Sequence, residues 1–210
     1  MAIRVFLVDD HTLVRTGMRM LLEGEDGIEV VGEASSGEEA LPLVRRLQPD
    51  VVLCDLHLPG LSGLEITTRL VRGGTHVVVV SVLEAGPMPR RLIEAGACGY
   101  VGKGGDAGEL LRAVRAAAQG RRYLASSIAQ GMALSGLDEG RSPFDALSAR
   151  ELEVAMLLTR GLRQEDIARR LSLSAKTINT HKSRLFDKLG IRDSIALARM
   201  AGHYGLAEPM

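Results

Sequence analysis

Five polar residues stand where apolar runs stop. Asp9-Asp10 follows the run at 3–8, Asp55 closes the run at 51–54, Ser81 closes the run at 77–80, and Lys103 lies just past the run at 99–101. Three carboxylates brought to one place repel one another unless a hard cation neutralises them, and Mg²⁺ suits that task because it takes oxygen ligands and keeps water positions open. A lysine and a hydroxyl beside such an ion suit a phosphoryl group, the one for its charge and the other as a donor to its oxygens. A carboxylate such as Asp55 can also act as a nucleophile and become an aspartyl phosphate. Each residue alone has a plainer reading. An acid after a strand is commonly the N-cap of the next helix, a serine there is commonly a turn residue, and a lysine is commonly solvated. The chemistry therefore depends on whether the elements bring the five together.

The pattern says they do. Apolar runs at 3–8, 28–31, 51–55, 77–80 and 99–101 read as strands, and those at 51–54 and 77–80 carry no polar residue, as expected of strands buried on both faces. Between them lie helical periodicities over 11–23, from 36 to 47, from 62 onward, over about 88–95, and from 106 to 118. Ser36 with Glu39 and Ser62 with Glu65 have the spacing of capping boxes, and Asp106 caps the last helix. Pro42 predicts a kink or an irregular first turn in the second helix. Five strand–helix units predict a parallel sheet with helices on both faces, and a doubly wound, flavodoxin-like order is the common solution at this size. In such a sheet the carboxyl ends of the strands share one edge, and that is where Asp9, Asp10, Asp55, Ser81 and Lys103 fall.

Composition bounds the rest. The 210 residues are 46% hydrophobic and 25% charged, ordinary for a globular protein. No apolar run approaches the roughly 18 residues of a membrane span, and residues 1–8 lack the basic start and cleavage site of a secretion signal. Cys54 and Cys98 lie in apolar surroundings and read as free thiols of a reducing cytoplasm. Net charge is zero but divided: residues 1–120 carry 12 basic and 16 acidic side chains, and residues 121–210 carry 14 and 10. The second part is the better match to a polyanion.

Val8-Asp9-Asp10-His11, the segment from Asp55 to Pro59, Ser81, and Tyr100-Val101-Gly102-Lys103 together resemble the receiver domain of bacterial two-component response regulators. The resemblance implies that Asp55 is the phosphoacceptor. It also implies that Asp9, Asp10, Asp55 and the backbone carbonyl of His57 surround Mg²⁺, that Ser81 and Lys103 read the phosphoryl group, and that Tyr100 is the aromatic that turns inward as the hydroxyl moves. Many receivers have proline after the lysine; Gly104 stands here, which excludes a cis-proline turn. Residues 84–89 are rich in helix breakers, so the start of the fourth helix is not fixed by pattern.

Residues 122–144 read as a linker, with a short helix capped by Ser126 or Ser127 and carrying Ile128, Met132 and Leu134, then a flexible connector ending at Pro143. Beyond it, Ser148 with Glu151 opens a helix, residues 165–171 form a short one, and residues 175–189 form a third that Gly190 closes. The tight join between the last two fits a helix-turn-helix. Ile178, Leu185, Phe186 and Leu189 define the buried side of 175–189. Lys176, Asn179, Thr180 and Ser183 share the opposite side at i, i+3, i+4, i+7, short enough to approach base edges in a major groove. Lys182, Arg184 and Lys188 flank them as candidates for phosphate contacts. Residues 147–202 carry 11 basic and 6 acidic side chains, in keeping with DNA, although an ordinary solvated face would show the same pattern.

Leu147-Ser148-Ala149-Arg150-Glu151-Leu152-Glu153-Val154, Glu165-Asp166-Ile167-Ala168, Lys176-Thr177-Ile178-Asn179-Thr180-His181 and Lys188-Leu189-Gly190 are similar to the LuxR/NarL-type helix-turn-helix. The whole resembles the NarL/FixJ class of response regulators, nearest its GacA/UvrY branch. The expectation is a receiver at 1–121, a linker at 122–144 and a LuxR-type DNA-binding domain at 145–210. The receiver is expected to be five-stranded. A sensor histidine kinase would supply the phosphoryl group and double-stranded DNA would be the target, contacted by Lys176, Thr177, Asn179, Thr180, Lys182 and Ser183. The helix near 193–204 would pair two copies. The protein would be cytoplasmic, not membrane-bound, and not an enzyme. Two rivals stand beside this reading. An aspartate-nucleophile phosphohydrolase would want an acid two residues after the nucleophile, where His57 stands. A small-molecule-switched DNA binder would want an aromatic-lined pocket in a chain that is 3% aromatic.

Overall fold

The computed structural model describes residues 2–82, 87–137, 142–171 and 173–204. Six parallel strands, β1 (Ile3–Val8), β2 (Ile28–Ala34), β3 (Val51–Asp55), β4 (His76–Ser81), β5 (Gly99–Gly102) and β6 (Tyr123–Leu124), lie in the order β2-β1-β3-β4-β5-β6. The order reverses between β1 and β3, which makes their carboxyl ends the topological switch point. Helices α1 (Thr12–Glu23) and α5 (Ala107–Ala118) cover one face, and α2 (Gly37–Leu47), α3 (Gly63–Arg72) and α4 (Pro87–Glu94) cover the other.

The two faces follow from strand periodicity. Val5, Leu7, Val51, Leu53, Val78, Val80 and Val101 pack under α1 and α5, while Phe6, Val8, Val52, Cys54, Val77, Val79 and Tyr100 pack under the other three helices. Every residue of β3 is buried, so its apolar side chains each contribute about 1.5–3 kcal/mol of burial and leave only one polar terminus, Asp55. Ser62 and Glu65 form the full capping box of α3. At α2 the box is incomplete: Ser36 accepts from the Glu39 N–H, but the Glu39 carboxylate takes the Ser35 N–H and hydroxyl instead. That helix runs continuously through Pro42.

The expected five strands are six. Residues 123–124 leave α5, turn at Gly120 (φ +68°) and pair in parallel with β5, Gly99 opposite Tyr123 and Tyr100 opposite Leu124. The peptide of Cys98 is bonded by the Tyr123 N–H and that of Tyr100 by the Ala125 N–H, so groups that β5 would otherwise expose at a sheet edge are satisfied. Two residues are too few for a periodicity to reveal. Helix α6 (Ser126–Leu137) follows and seats Ile128 against α4 and β5.

A 3₁₀ turn at Pro143–Ala146 leads into four helices, α7 (Ala149–Thr159), α8 (Gln164–Arg170), α9 (Ala175–Leu189) and α10 (Ser194–His203). Phe144, Leu152, Ala155, Ile167, Ile178, Leu185, Leu197 and Ala201 form their core. That core is continuous with the receiver's α3–α4 side. Arg91 of α4 donates to the carbonyls of Phe144 (2.9 Å) and Asp145 (2.8 Å), and Arg150 of α7 donates to the carbonyl of Gly60 (2.8 Å). The helix breakers at 84–86, most of the connector before Pro143, Ser172 and the tail after Tyr204 lie outside the described residues. Among the described residues no helix is long and apolar enough to cross a membrane.

Candidate acidic site and nucleic-acid interface

Register places the acidic cluster. Val8 pairs with Cys54 and Asp55 with Val80, so Asp9 and Asp55 leave the sheet side by side and Ser81 stands one residue beyond Asp55. Asp9 and Ser81 are fully buried and Asp55 is 2% exposed. Lys103 is brought to them because its N–H bonds to the Ser81 carbonyl at 2.8 Å as β5 ends. Its ammonium lies 2.7 Å from Asp9 Oδ2 and 2.9 Å from Asp55 Oδ2. Burial alone would lower the Lys103 pKa, but the Asp55 charge and the bonds to both carboxylates outweigh it and hold the group above its usual range.

A cation fits here. Asp9, Asp10, His11 and Asp55 each offer a ligand atom within 4.8 Å of the others. Among the described residues, the buried Asp9 Oδ2 has no hydrogen-bond partner apart from the Lys103 ammonium. Asp10 Oδ1 lies 2.8 Å from the His11 imidazole and has no hydrogen-bond partner among the described residues. The remaining oxygens orient the backbone: Asp9 Oδ1 accepts the His11 N–H (2.8 Å) and Asp55 Oδ1 accepts the His57 N–H (3.2 Å). Hard oxygen donors of this kind are the set Mg²⁺ selects. Tyr100 is wholly buried on the α4 side, between Val79 of β4 and Leu124 of β6 in the sheet register.

Three supports were missed by pattern. Arg15 of α1 donates to the Asp9 carbonyl at 2.6 Å. Gly63 starts α3 directly beneath the site, and a Cβ there would fall 2.5 Å from the Asp55 carbonyl oxygen. His57, whose N–H bonds Asp55 Oδ1, also has a buried side chain. Its imidazole is 7% exposed, its Nε2 has no partner among the described residues, and burial lowers its pKa to about 3, helped by Arg160 and Arg170. The first of these could have been suspected from an arginine four residues after His11 in a helix; the other two depend on tertiary packing.

On α9, Ser174 caps the Thr177 N–H and Gly190 ends the helix in the left-handed region (φ +65°). Lys176, Asn179, Thr180 and Ser183 are exposed on one face, opposite the buried Ile178, Leu185 and Leu189. The Thr177 hydroxyl is 2.8 Å from Ser174 Oγ, part of the cap. Lys182 lies 5.4 Å from the centre of the Phe186 ring, a cation–π distance. Lys188 turns away from the exposed face to bond Glu151 at 2.7 Å, which completes the α7 cap region rather than offering a free cation. α8 and α9 pack on one another and on α7, as the two helices of a helix-turn-helix do.

Comparisons with known proteins agree with both halves. Residues 5–115 match the family described as response regulator receiver domain, and residues 145–201 the bacterial regulatory proteins, luxR family. The chain is 44% identical to the response regulator GacA of Pseudomonas viridiflava over 98% of both chains. It is 43% identical to the response regulator UvrY of Escherichia coli K12 over 97% of this chain and 95% of that one. Among solved structures, the RcsB response regulator of Salmonella typhimurium superposes with a TM-score of 0.73 at 26% identity, covering 97% and 98%.

Proposed function

We propose, from the premise that this chain belongs to the LuxR-type (NarL/FixJ) class of two-component response regulators, that Asp55 is its phosphoacceptor. Such a regulator takes phosphate on its receiver from a histidine kinase and controls transcription through DNA bound by its LuxR-type domain. The observation that carries the assignment is the placement of Asp55 at the end of a fully buried strand, beside Asp9, with the Lys103 ammonium 2.9 Å away. An Asp55 carboxylate oxygen attacks the phosphorus of the kinase phosphohistidine; the P–O bond forms as the P–N bond breaks, and the imidazole leaves. Asp9, Asp10, Asp55 and the His57 carbonyl would hold Mg²⁺, which when bound neutralises the carboxylates and the transferring oxygens. Ser81 and Lys103 would then receive the phosphoryl oxygens. Tyr100 is the aromatic that follows Ser81, reached through the β4–β5 register.

The receiver is taken as 1–121, its sheet completed by β6 at the start of the connector 122–144, and the DNA-binding domain as 145–210. In the latter, Asn179, Thr180 and Ser183 read base edges from the exposed side of α9, Lys176 and Lys182 meet phosphates, and Thr177 holds the start of the helix against the backbone. RcsB has been solved as two dimers bound to two parallel DNAs. A symmetric pair is proposed for this chain too, with Ile195 of α10, 74% exposed, at the contact. The protein acts in the cytoplasm as a stoichiometric acceptor rather than an enzyme. The sequence supports that reading: His57 stands two residues after Asp55, where an aspartate-nucleophile phosphohydrolase would carry its second acid. The test is incubation with Mg²⁺ and a small acyl phosphate, followed by intact mass. The native chain gains a phosphoryl group and Asp55→Ala does not; equal gain by the variant refutes the assignment.

A further inference from the structure

The peptide that joins Asp9 to Asp10 is held by α1. Its carbonyl accepts Arg15 Nη1 at 2.6 Å, and one residue back along the chain the Asp9 N–H donates to the Ala34 carbonyl of β2 at 3.2 Å. The Asp10 carboxylate has no comparable support: Oδ1 lies beside the His11 imidazole but has no hydrogen-bond partner among the described residues. Where that carboxylate stands depends on how the peptide before it is turned. Arg15 is itself anchored. Its Nε lies 3.4 Å from Glu33 Oε2, and Glu33 stands opposite Leu7, on the sheet face that α1 covers. The Arg15 side chain is 14% exposed, so little water competes for the guanidinium. Arg19, one turn later, reaches the same Glu33 oxygen at 3.4 Å but bonds Glu23 with its other nitrogen, at 2.9 Å.

We propose, resting on the reading of Asp9, Asp10 and Asp55 as the Mg²⁺ site, that Arg15 anchored by Glu33 is a positioning residue for the ion. Through the Asp9–Asp10 peptide it sets the spacing of two ligand carboxylates, and with that the affinity for Mg²⁺. Mg²⁺ tolerates little departure from octahedral geometry, so carboxylates already in place bind it better than carboxylates that must be ordered on its arrival. Outer partners of metal ligands commonly carry a share of the affinity for this reason. Arginine suits the task because its planar fork meets a carbonyl and a carboxylate at once, which a lysine ammonium does not. Its charge, however, opposes a divalent cation nearby. Glu33 offsets that charge, so the strap holds the peptide without repelling the ion. The positioning effect of Arg15 and the effect of its charge thus have opposite signs, and packing alone has neither.

Titration of the full chain with Mg²⁺ tests this, read by calorimetry and by the backbone amide shifts of Asp10 and His57. Arg15→Ala is expected to weaken Mg²⁺ binding on the order of tenfold. With a small acyl phosphate as donor and intact mass as the readout, the Mg²⁺ needed for half the maximal rate rises by the same factor, while the rate at saturating Mg²⁺ stays at the native value. Unchanged Mg²⁺ affinity in Arg15→Ala makes Arg15 a packing residue, and tighter binding makes it only a neighbouring charge; either result overturns the positioning role. Arg15→Lys, which keeps the cation without the fork, answers if the alanine variant does not fold. It is expected to weaken Mg²⁺ too, and native affinity there overturns the role. Glu33→Gln keeps the strap but leaves its charge bare, so it is expected to weaken Mg²⁺ more at low salt than at high salt; native affinity at low salt overturns the part given to Glu33. Arg19→Ala loosens the same Glu33 without reaching the Asp9 carbonyl and is expected to keep native affinity. A loss equal to that of Arg15→Ala points to a general α1–β2 clamp and overturns the strap. A native chain that binds no Mg²⁺ overturns the metal site first and the role of Arg15 with it.

Discussion

Lys103 is the residue on which the metal-free acidic site depends. Its ammonium is shared by two buried carboxylates, so removing it leaves like charges uncompensated in a low-dielectric place. Lys103→Ala is expected to cost about 3–5 kcal/mol in urea denaturation without divalent ions, and Mg²⁺ is expected to restore part of the loss in the variant more than in the native chain. Glu153 makes a separate prediction. Burial raises its pKa to about 7, against the opposing pull of Arg150. The folded chain therefore holds that proton more tightly than the unfolded one. The stability tied to it is fully present below the ordinary carboxylate range and is lost as pH rises through about 7. Melting curves from pH 5 to 8 should show the native chain losing stability relative to Glu153→Gln as pH rises; parallel curves would remove the linkage. At this scale the sequence was informative where a polar residue ended an apolar run, as at Asp9, Asp55 and Ser81. It was silent on His57 and Glu153, whose burial comes from the docking of one domain on another and leaves no local period.

Among the elements, α9 shows how far periodicity reaches. Its buried stripe and exposed face followed from spacing alone, and Asn179, Thr180 and Ser183 are where the 3.6-residue repeat puts them. The hydroxyl of Thr177 and the ammonium of Lys188 are tied up by Ser174 and Glu151, contacts a helical wheel does not contain. The two kinds of exposed residue should behave differently in binding assays on the native operator. Asn179→Ala is expected to cost about 1–3 kcal/mol and to relax preference at one base pair. Lys176→Ala is expected to weaken binding to all duplexes alike and to reduce the salt slope by about one. If Lys176→Ala changes base preference while Asn179→Ala does not, the assignment of reading and anchoring residues on α9 is reversed. Capping boxes were equally legible at Ser62 and Ser148, but Glu39 spends its carboxylate on Ser35, an equally near donor that spacing cannot rank.

Over the whole molecule, the charge division between the parts and the alternation of strands and helices were enough to separate a sheet domain from a helical one. The order β2-β1-β3-β4-β5 is not written in the pattern; it is the flavodoxin-like arrangement expected as the common solution at this size. What joined the halves did not, because Arg91 and Arg150 reach backbone carbonyls, and a carbonyl has no sequence signature. The inward position of Tyr100 also depends on a neighbour the pattern did not supply, the short strand β6.

That short strand bears on how regulators of this build can be recombined. β6 and Ile128 belong physically to the sheet although they follow its last helix, with Ala125 bonding the Tyr100 carbonyl at 3.1 Å. A graft that exchanged receivers at residue 121 would take away the partner of β5 and leave Gly99–Gly102 as a bare edge, open to pairing with other chains in solution. Joining the halves beyond Leu137 keeps the edge closed. The transferable unit is thus the sheet together with the first stretch of what reads, by composition, as connector.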